Sequence, residues 1–164
     1  MRLSIRAEQM TLIESETQER FVRRIAAHLL AEYSTATVIL PNTERFTVNT
    51  LEKETLFELV RIGITRARIY KMTFESSIAA FTALMFEISP NFHTNRICQV
   101  VFNDDQVAPN DQIELLMNTL TDKSILSMQE NYDPVSWKLD DVPNELENNA
   151  PAENLKESND RNVN

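Results

Sequence analysis

Glycine occurs once in this chain of 164 residues, at Gly63. Sheets are joined by tight turns that place residues at positive φ, where glycine is favoured, so a chain with a single glycine is poorly supplied for building one. The connections are expected to be helix caps and polar loops, and the expected fold class is all-α. Gly63 itself falls inside a helical pattern, where glycine costs about 1 kcal/mol relative to alanine. With Ala67 one turn later, it predicts a face on which a neighbouring helix approaches closely.

The length suits one domain able to bury roughly two thirds of the surface its unfolded chain exposes. Apolar periodicity places the elements. Met10, Ile13, Phe21, Ile25 and Leu29 predict an amphipathic helix from about Arg6 to Tyr33. The stretch Ser34 to Val48, with β-branched residues, Pro41 and Asn42, reads as a loop with at most one short extended or helical piece near Val38 to Leu40. A second helix is expected to start at an Asn49 or Thr50 cap and to turn Leu56, Leu59, Val60, Gly63, Ile64, Ala67 and Tyr70 inward. Thr73 is the expected cap of a third helix, whose wide apolar face of Phe74, Ile78, Phe81, Leu84, Met85 and Ile88, widened by Ala79, Ala80 and Ala83, makes it central. Pro90 ends it. A short helix carrying Ile97, Val100 and Val101 follows, and then one amphipathic helix from about Pro109 or Asp111 to Met128, with Ile113, Leu116, Met117, Leu120, Ile125 and Leu126 facing inward.

The expectation is therefore a compact bundle of four to five helices over residues 1–130, built round a helical hairpin, with 131–164 as a flexible tail. That tail is acidic and rich in asparagine and proline, too polar to repay the entropy of ordering. It holds eight acidic and three basic residues, net −5 of the chain's −9. Tyr132, Val135 and Trp137 stand out in it, either folding back on the helices or anchoring a partner.

Charge and composition narrow the chemistry. A net charge of −9 argues against general nucleic-acid binding and suits a basic protein partner. No apolar run approaches the roughly 20 residues a membrane span needs. One cysteine, Cys98, and an N-terminus without a secretory apolar core point to the cytoplasm. One cysteine and two histidines make a metal site improbable, and one glycine excludes a phosphate-binding P-loop; no cofactor is expected. Cys98 with His93 is the remaining nucleophilic pair, at a poor helical spacing and without an orienting third residue; packed hydrophobe is the better reading of the cysteine. Glu14 with Glu16 and Asp104 with Asp105 read as solvated surface, and His28 as a packed, hydrogen-bonded side chain. The arginines of the first two helices, Arg20, Arg23, Arg24, Arg61, Arg66 and Arg68, are the basis of an alternative, a small regulatory nucleic-acid-binding protein. Glu19 with Arg23 and Glu58 with Arg61, at helical spacing, favour intramolecular pairs instead.

The stretch GITRARIYKMTFESSIAAFTALMFEISPNF, Gly63 to Phe92, resembles a motif of small helical proteins encoded beside type VI secretion effector and spike genes in bacteria. The matching positions are Gly63, Ile64, Ala67, Tyr70, Glu75, Phe81, Leu84, Met85, Phe86, Pro90 and Phe92. Lys71 stands where that motif has glycine, Ser89 where glycine is common before the proline, and His93 where an acidic residue is common. The resemblance implies a non-enzymatic cytoplasmic protein that binds a secreted toxin or its spike-linked region, as immunity protein or as stabilising adaptor. Phe86 lies off the apolar stripe and Phe92 and His93 follow the helix stop, so these three, with Tyr132 and Trp137, are the candidate partner-binding residues, Phe92 having the alternative of tucking back over the hairpin.

Overall fold

A computed structural model describes the backbone of residues 7–139 and the side chains of residues 14–139. Six helices and one small hairpin follow in the order α1 (Ala7–Glu32), β1 (Thr37–Ile39), β2 (Arg45–Thr47), α2 (Lys53–Ile69), α3 (Glu75–Glu87), α4 (Arg96–Phe102), α5 (Pro109–Thr119) and α6 (Asp122–Glu130). Short 3₁₀ turns precede α2 and α4, and a third, Pro134–Trp137, follows α6. The architecture is mostly helical, with α3 at its centre.

The stretch expected as a loop contains the exception. β1 and β2 pair antiparallel, Thr37 opposite Thr47 and Ile39 opposite Arg45. Their turn is closed by Leu40 N donating to the Glu44 carbonyl and Thr43 N to that of Leu40. Thr43 takes φ 69°, the left-handed conformation that glycine adopts more readily. A hairpin thus forms without glycine, at the strain of one β-branched residue, and Val38 on β1 is completely buried.

α2 and α3 make the hairpin expected from their patterns. Gly63 is where they touch: a Cβ there would lie 2.6 Å from Thr82 Cγ2 and 3.1 Å from Thr82 Cβ. Thr82 is fully buried, its hydroxyl donating to the Ile78 carbonyl. The link between the two helices passes through Lys71, whose φ of 62° is the left-handed cap geometry that ends helices, usually at glycine.

Three helix boundaries differ from expectation. α2 starts at Lys53 rather than at an Asn49 or Thr50 cap, because Thr47 and Thr50 cap the preceding 3₁₀ turn reciprocally. α3 is not capped by its own Thr73: Asn110 Oδ1, from α5, accepts the Thr73 and Phe74 amides at 2.8 Å each. Phe74, expected in the core, stands 62% exposed outside that helix start. The single last helix is two. Thr121 accepts the Ser124 amide and Ser124 Oγ accepts the Thr121 amide, a capping box that starts a new helix. Leu126, expected inward, faces solvent after that break, and Met117 on α5 and Val100 on α4 are exposed as well.

The core is continuous from α1 to the last 3₁₀ turn. At one end Tyr70, Phe81, Phe92 and Phe102 cluster, with Phe81 and Phe92 rings 5.0 Å apart and Tyr70 and Phe102 4.6 Å apart. At the other, Trp137 packs 4.9 Å from the Phe86 ring. Packed structure therefore continues past the boundary expected at residue 130; the rest of the expected tail, 140–164, lies outside the described residues, as do residues 1–6.

Candidate partner-binding surface

The five residues singled out from the sequence sit in the interior or against it. Phe86 and Phe92 are each 1% exposed, Trp137 2% and His93 5%; Tyr132 is half-buried. Phe86 lies off the stripe that meets α2 because it has its own partner, Trp137. Phe92 tucks back onto Phe81. None of the four buried side chains presents a surface to a partner in this structure, and the patch expected around the LMFEISPNF stop is closed.

What closes it is the segment after α6. Trp137 Nε1 donates to the Tyr132 hydroxyl at 2.9 Å, and that hydroxyl meets the Ile39 amide at 3.1 Å, which ties the segment to the outer edge of β1. Arg66, 7% exposed, donates from Nη2 to the carbonyls of Ser136 and Lys138 at 2.9 and 2.7 Å. A cation so buried needs such acceptors, since an uncompensated charge in the interior is strongly unfavourable.

His93 and Cys98 are held in forms unsuited to nucleophilic work. Gln99 Nε2, a donor only, meets both the Tyr70 oxygen at 3.2 Å and the His93 carbonyl at 2.6 Å. The Tyr70 hydroxyl and His93 Nδ1 share a hydrogen bond at 2.9 Å. Nε2 has no hydrogen-bond partner among the described residues. Burial, and after it the positive field of Arg66, lower the His93 pKa to about 4, against a weak opposing pull from the Pro90 carbonyl. Burial pushes the Cys98 thiol up to about 12, so it stays protonated at neutral pH. Among the described residues no three His, Cys, Asp or Glu side chains converge on a metal-sized site, and no helix is long and apolar enough to cross a membrane.

Most of the arginines singled out have internal partners. Arg61 pairs with Glu19 across α1 and α2 at 3.0 Å, Arg24 pairs with Glu75 across α1 and α3, and Arg68 donates to Gln18. The direct ion pairs thus run between helices; Arg23 acts on Glu19 only at longer range, after Arg61. Two wide clefts, of about 730 and 590 Å³, are lined by charges of both signs or by fixed polar groups: Glu14, Arg68, Lys71 and Glu75 in the first, Asp104, Asp105 and Gln112 in the second. In the second, Gln112 Nε2 is engaged by the carbonyls of Phe102 and Asp104, both at 3.3 Å.

A third opening differs in character. It is a groove of about 240 Å³ along the outer face of α3, floored by Ser76, Ala79, Ala80 and Ala83 and walled by His28 of α1, Tyr33 just after it and Met117 of α5. From Ser76 to Glu87 that face runs about three turns, roughly 16 Å at the rise of an α-helix. The floor is recessed because its side chains are alanine, while Met117 stands 57% exposed above it. Of the three alanines expected to widen the core face, Ala83 is buried, and Ala79 and Ala80 are only partly covered. At one end Tyr33 lies beside Glu87 and Glu32. Burial and then those two carboxylates raise its phenol pKa, which records a locally negative field. At the other end Arg24 and Glu75 neutralise each other. Comparison with protein-family models, with curated proteins and with solved structures returns no match.

Proposed function

We propose that this chain is a non-enzymatic, cytoplasmic protein-binding partner of a type VI secretion toxin, neutralising it in the producing cell or holding it before loading. The observation that carries the reading is the α3 groove: the most central helix of the fold leaves an apolar face uncovered, with a one-sign charge at its rim. Isolated apolar side chains on a surface are ordinary, but an apolar trench over a core helix, edged by carboxylates, is what a protein interface core and rim require. The protonated Cys98 and the neutral, buried His93 favour binding over covalent chemistry. Most of the residues that resemble the secretion-associated motif fall on the α2–α3 hairpin, whose second helix floors the groove, and Lys71, where that motif has glycine, has left-handed backbone. The acidic balance of the chain suits a basic toxin domain and speeds its encounter.

Co-expression with the neighbouring effector gene, whole and in halves, followed by co-purification, tests this. An immunity role predicts capture of the toxic C-terminal half and rescue of cells expressing it; an adaptor role predicts capture of the spike-linked half without rescue. Failure to retain either half rejects the reading.

A further inference from the structure

Resting on the reading of the α3 groove as the place where this protein meets a partner, we infer what occupies it: one amphipathic helix of the partner, presenting small or linear apolar side chains to the alanine floor and a cationic side chain to the end bounded by Tyr33, Glu32 and Glu87.

Shape argues for a helix. The groove is straight, since its floor is one helix, and about three turns long, which matches anchors at positions i, i+4, i+7 and i+11 of a second helix laid along it. Alanines in the floor let a helix approach toward the close end of the usual 8–10 Å interaxial range, as Gly63 does on the opposite face of α3. At 240 Å³ the volume lies below the range typical of enclosed small-molecule sites, so it suits a few inserted side chains rather than a cofactor. Met117, flexible and exposed, supplies an adaptable wall.

Charge fixes the chemistry of one end. Among the described residues the ion pairs are Arg24 with Glu75 and Arg61 with Glu19. Glu32 and Glu87 are in neither, and both bear on the half-buried Tyr33 hydroxyl. A lysine or arginine in a terminal turn of the docked helix would meet the Glu87 carboxylate and a phenol oxygen there, in a field that Glu32 makes more negative, whereas an acidic residue would be repelled. The opposite end, already neutralised by Arg24 and Glu75, makes no such demand. The charge asymmetry therefore sets the direction in which the partner helix lies as well as its sign.

The probe is a synthetic capped 18-residue amphipathic helix with an alanine and leucine face and two lysines in one terminal turn, compared with the same peptide carrying two glutamates there. Binding to the full chain is measured by fluorescence anisotropy at low salt. The lysine peptide is expected to bind about tenfold more tightly than the glutamate peptide, and the exposed pair of substitutions Glu32→Lys and Glu87→Lys to reverse that order. Ala80→Trp, which fills the floor, is expected to weaken the lysine peptide by about tenfold or more with helicity retained. Equal affinity for the two peptides, or an order unchanged by the charge reversal, overturns the inference even if Ala80→Trp misfolds. Dimerisation of the chain that Ala80→Trp abolishes would assign the groove to a second copy, and an affinity that rises on deleting 140–164 would assign it to the chain's own C-terminus; either overturns it. Failure is separable from that of the proposed function. An effector half that co-purifies regardless of these substitutions sinks the groove assignment alone, and charge-dependent peptide binding without effector capture sinks the toxin assignment alone.

Discussion

His93 should make the stability of this fold depend on pH between 4 and 6.5. Folded, its ring is 5% exposed, bonded through Nδ1 to Tyr70, and its pKa is lowered from 6.5 to about 4, by burial first and by Arg66 second. Unfolded, the same ring takes a proton near its ordinary value. Between those two values the unfolded chain binds more protons than the folded one, so the stability present above pH 6.5 is lost as the pH falls through the window. The linkage relation gives a loss of about 0.8 kcal/mol at pH 6 and about 2 kcal/mol at pH 5, toward a ceiling of roughly 3.4 kcal/mol below pH 4. For a domain with about 5–15 kcal/mol in total, the pH 5 figure is a large fraction.

The assay is urea denaturation at pH 8, 6 and 5, followed by the fluorescence of Trp137, the sole tryptophan, and by circular dichroism. Carboxylates titrate at the acid end of this range too, so the comparison is with His93→Phe. Phenylalanine keeps the ring among Tyr70, Phe81 and Phe92 and leaves Tyr70 bonded to Gln99, at a pH-independent loss of about 1 kcal/mol for the missing hydrogen bond. The difference between the two proteins should therefore shrink as the pH falls and change sign near pH 5 or 6. Parallel stability profiles across pH 8 to 5 would refute the burial of an uncharged His93.

The other predictions probe helix contact, loop strain and the closing segment. Gly63→Ala gains about 1 kcal/mol of helix propensity but forces a Cβ onto Thr82, an overpacking loss of about 1–3 kcal/mol, so it should destabilise by up to about 2 kcal/mol in the native background and stabilise in Thr82→Ala, measured as a double-mutant cycle by urea titration. Lys71→Gly relieves a left-handed lysine and should raise stability by up to about 1 kcal/mol; a fall in the urea midpoint would mean that the lysine side chain, not the backbone, decides this position. Trp137→Ala should cost about 3–5 kcal/mol and Trp137→Phe about 1 kcal/mol, the second reporting the bond to Tyr132; calorimetry showing both neutral would detach the 131–139 segment from the core.

Legibility in the sequence followed the range of the forces involved. The α2–α3 hairpin is set by local apolar period and by one mid-helix glycine, and it could be read because both signals lie within the elements they describe. The capping box at Thr121 is equally local: Thr121 and Ser124, three residues apart, start a new helix inside an otherwise continuous apolar pattern, which masks the break. The cap of α3 could not be read at all, since its acceptor, Asn110, comes from another helix 36 residues away. The same holds for Trp137. Its composition placed it in a polar stretch, but one buried indole, a tyrosine bridge to β1 and an arginine on two carbonyls outweigh local polarity, and those partners lie on three different elements. The groove inverts the lesson. Ala79 and Ala80 satisfy the helical period for burial as well as larger residues would, so periodicity assigns them to the core with Ala83, which is buried; size, not polarity, distinguishes a covered face from a recessed one. A helix lined with alanine on the face between two neighbours leaves a trench there, here between α1, which meets α3 through Arg24 and Glu75, and α5, which meets the same end of α3 through Asn110. Glu75 at one end of α3 is neutralised by Arg24, whereas Glu87 at the other is in no ion pair among the described residues, so the face left uncovered carries its negative charge toward Glu87.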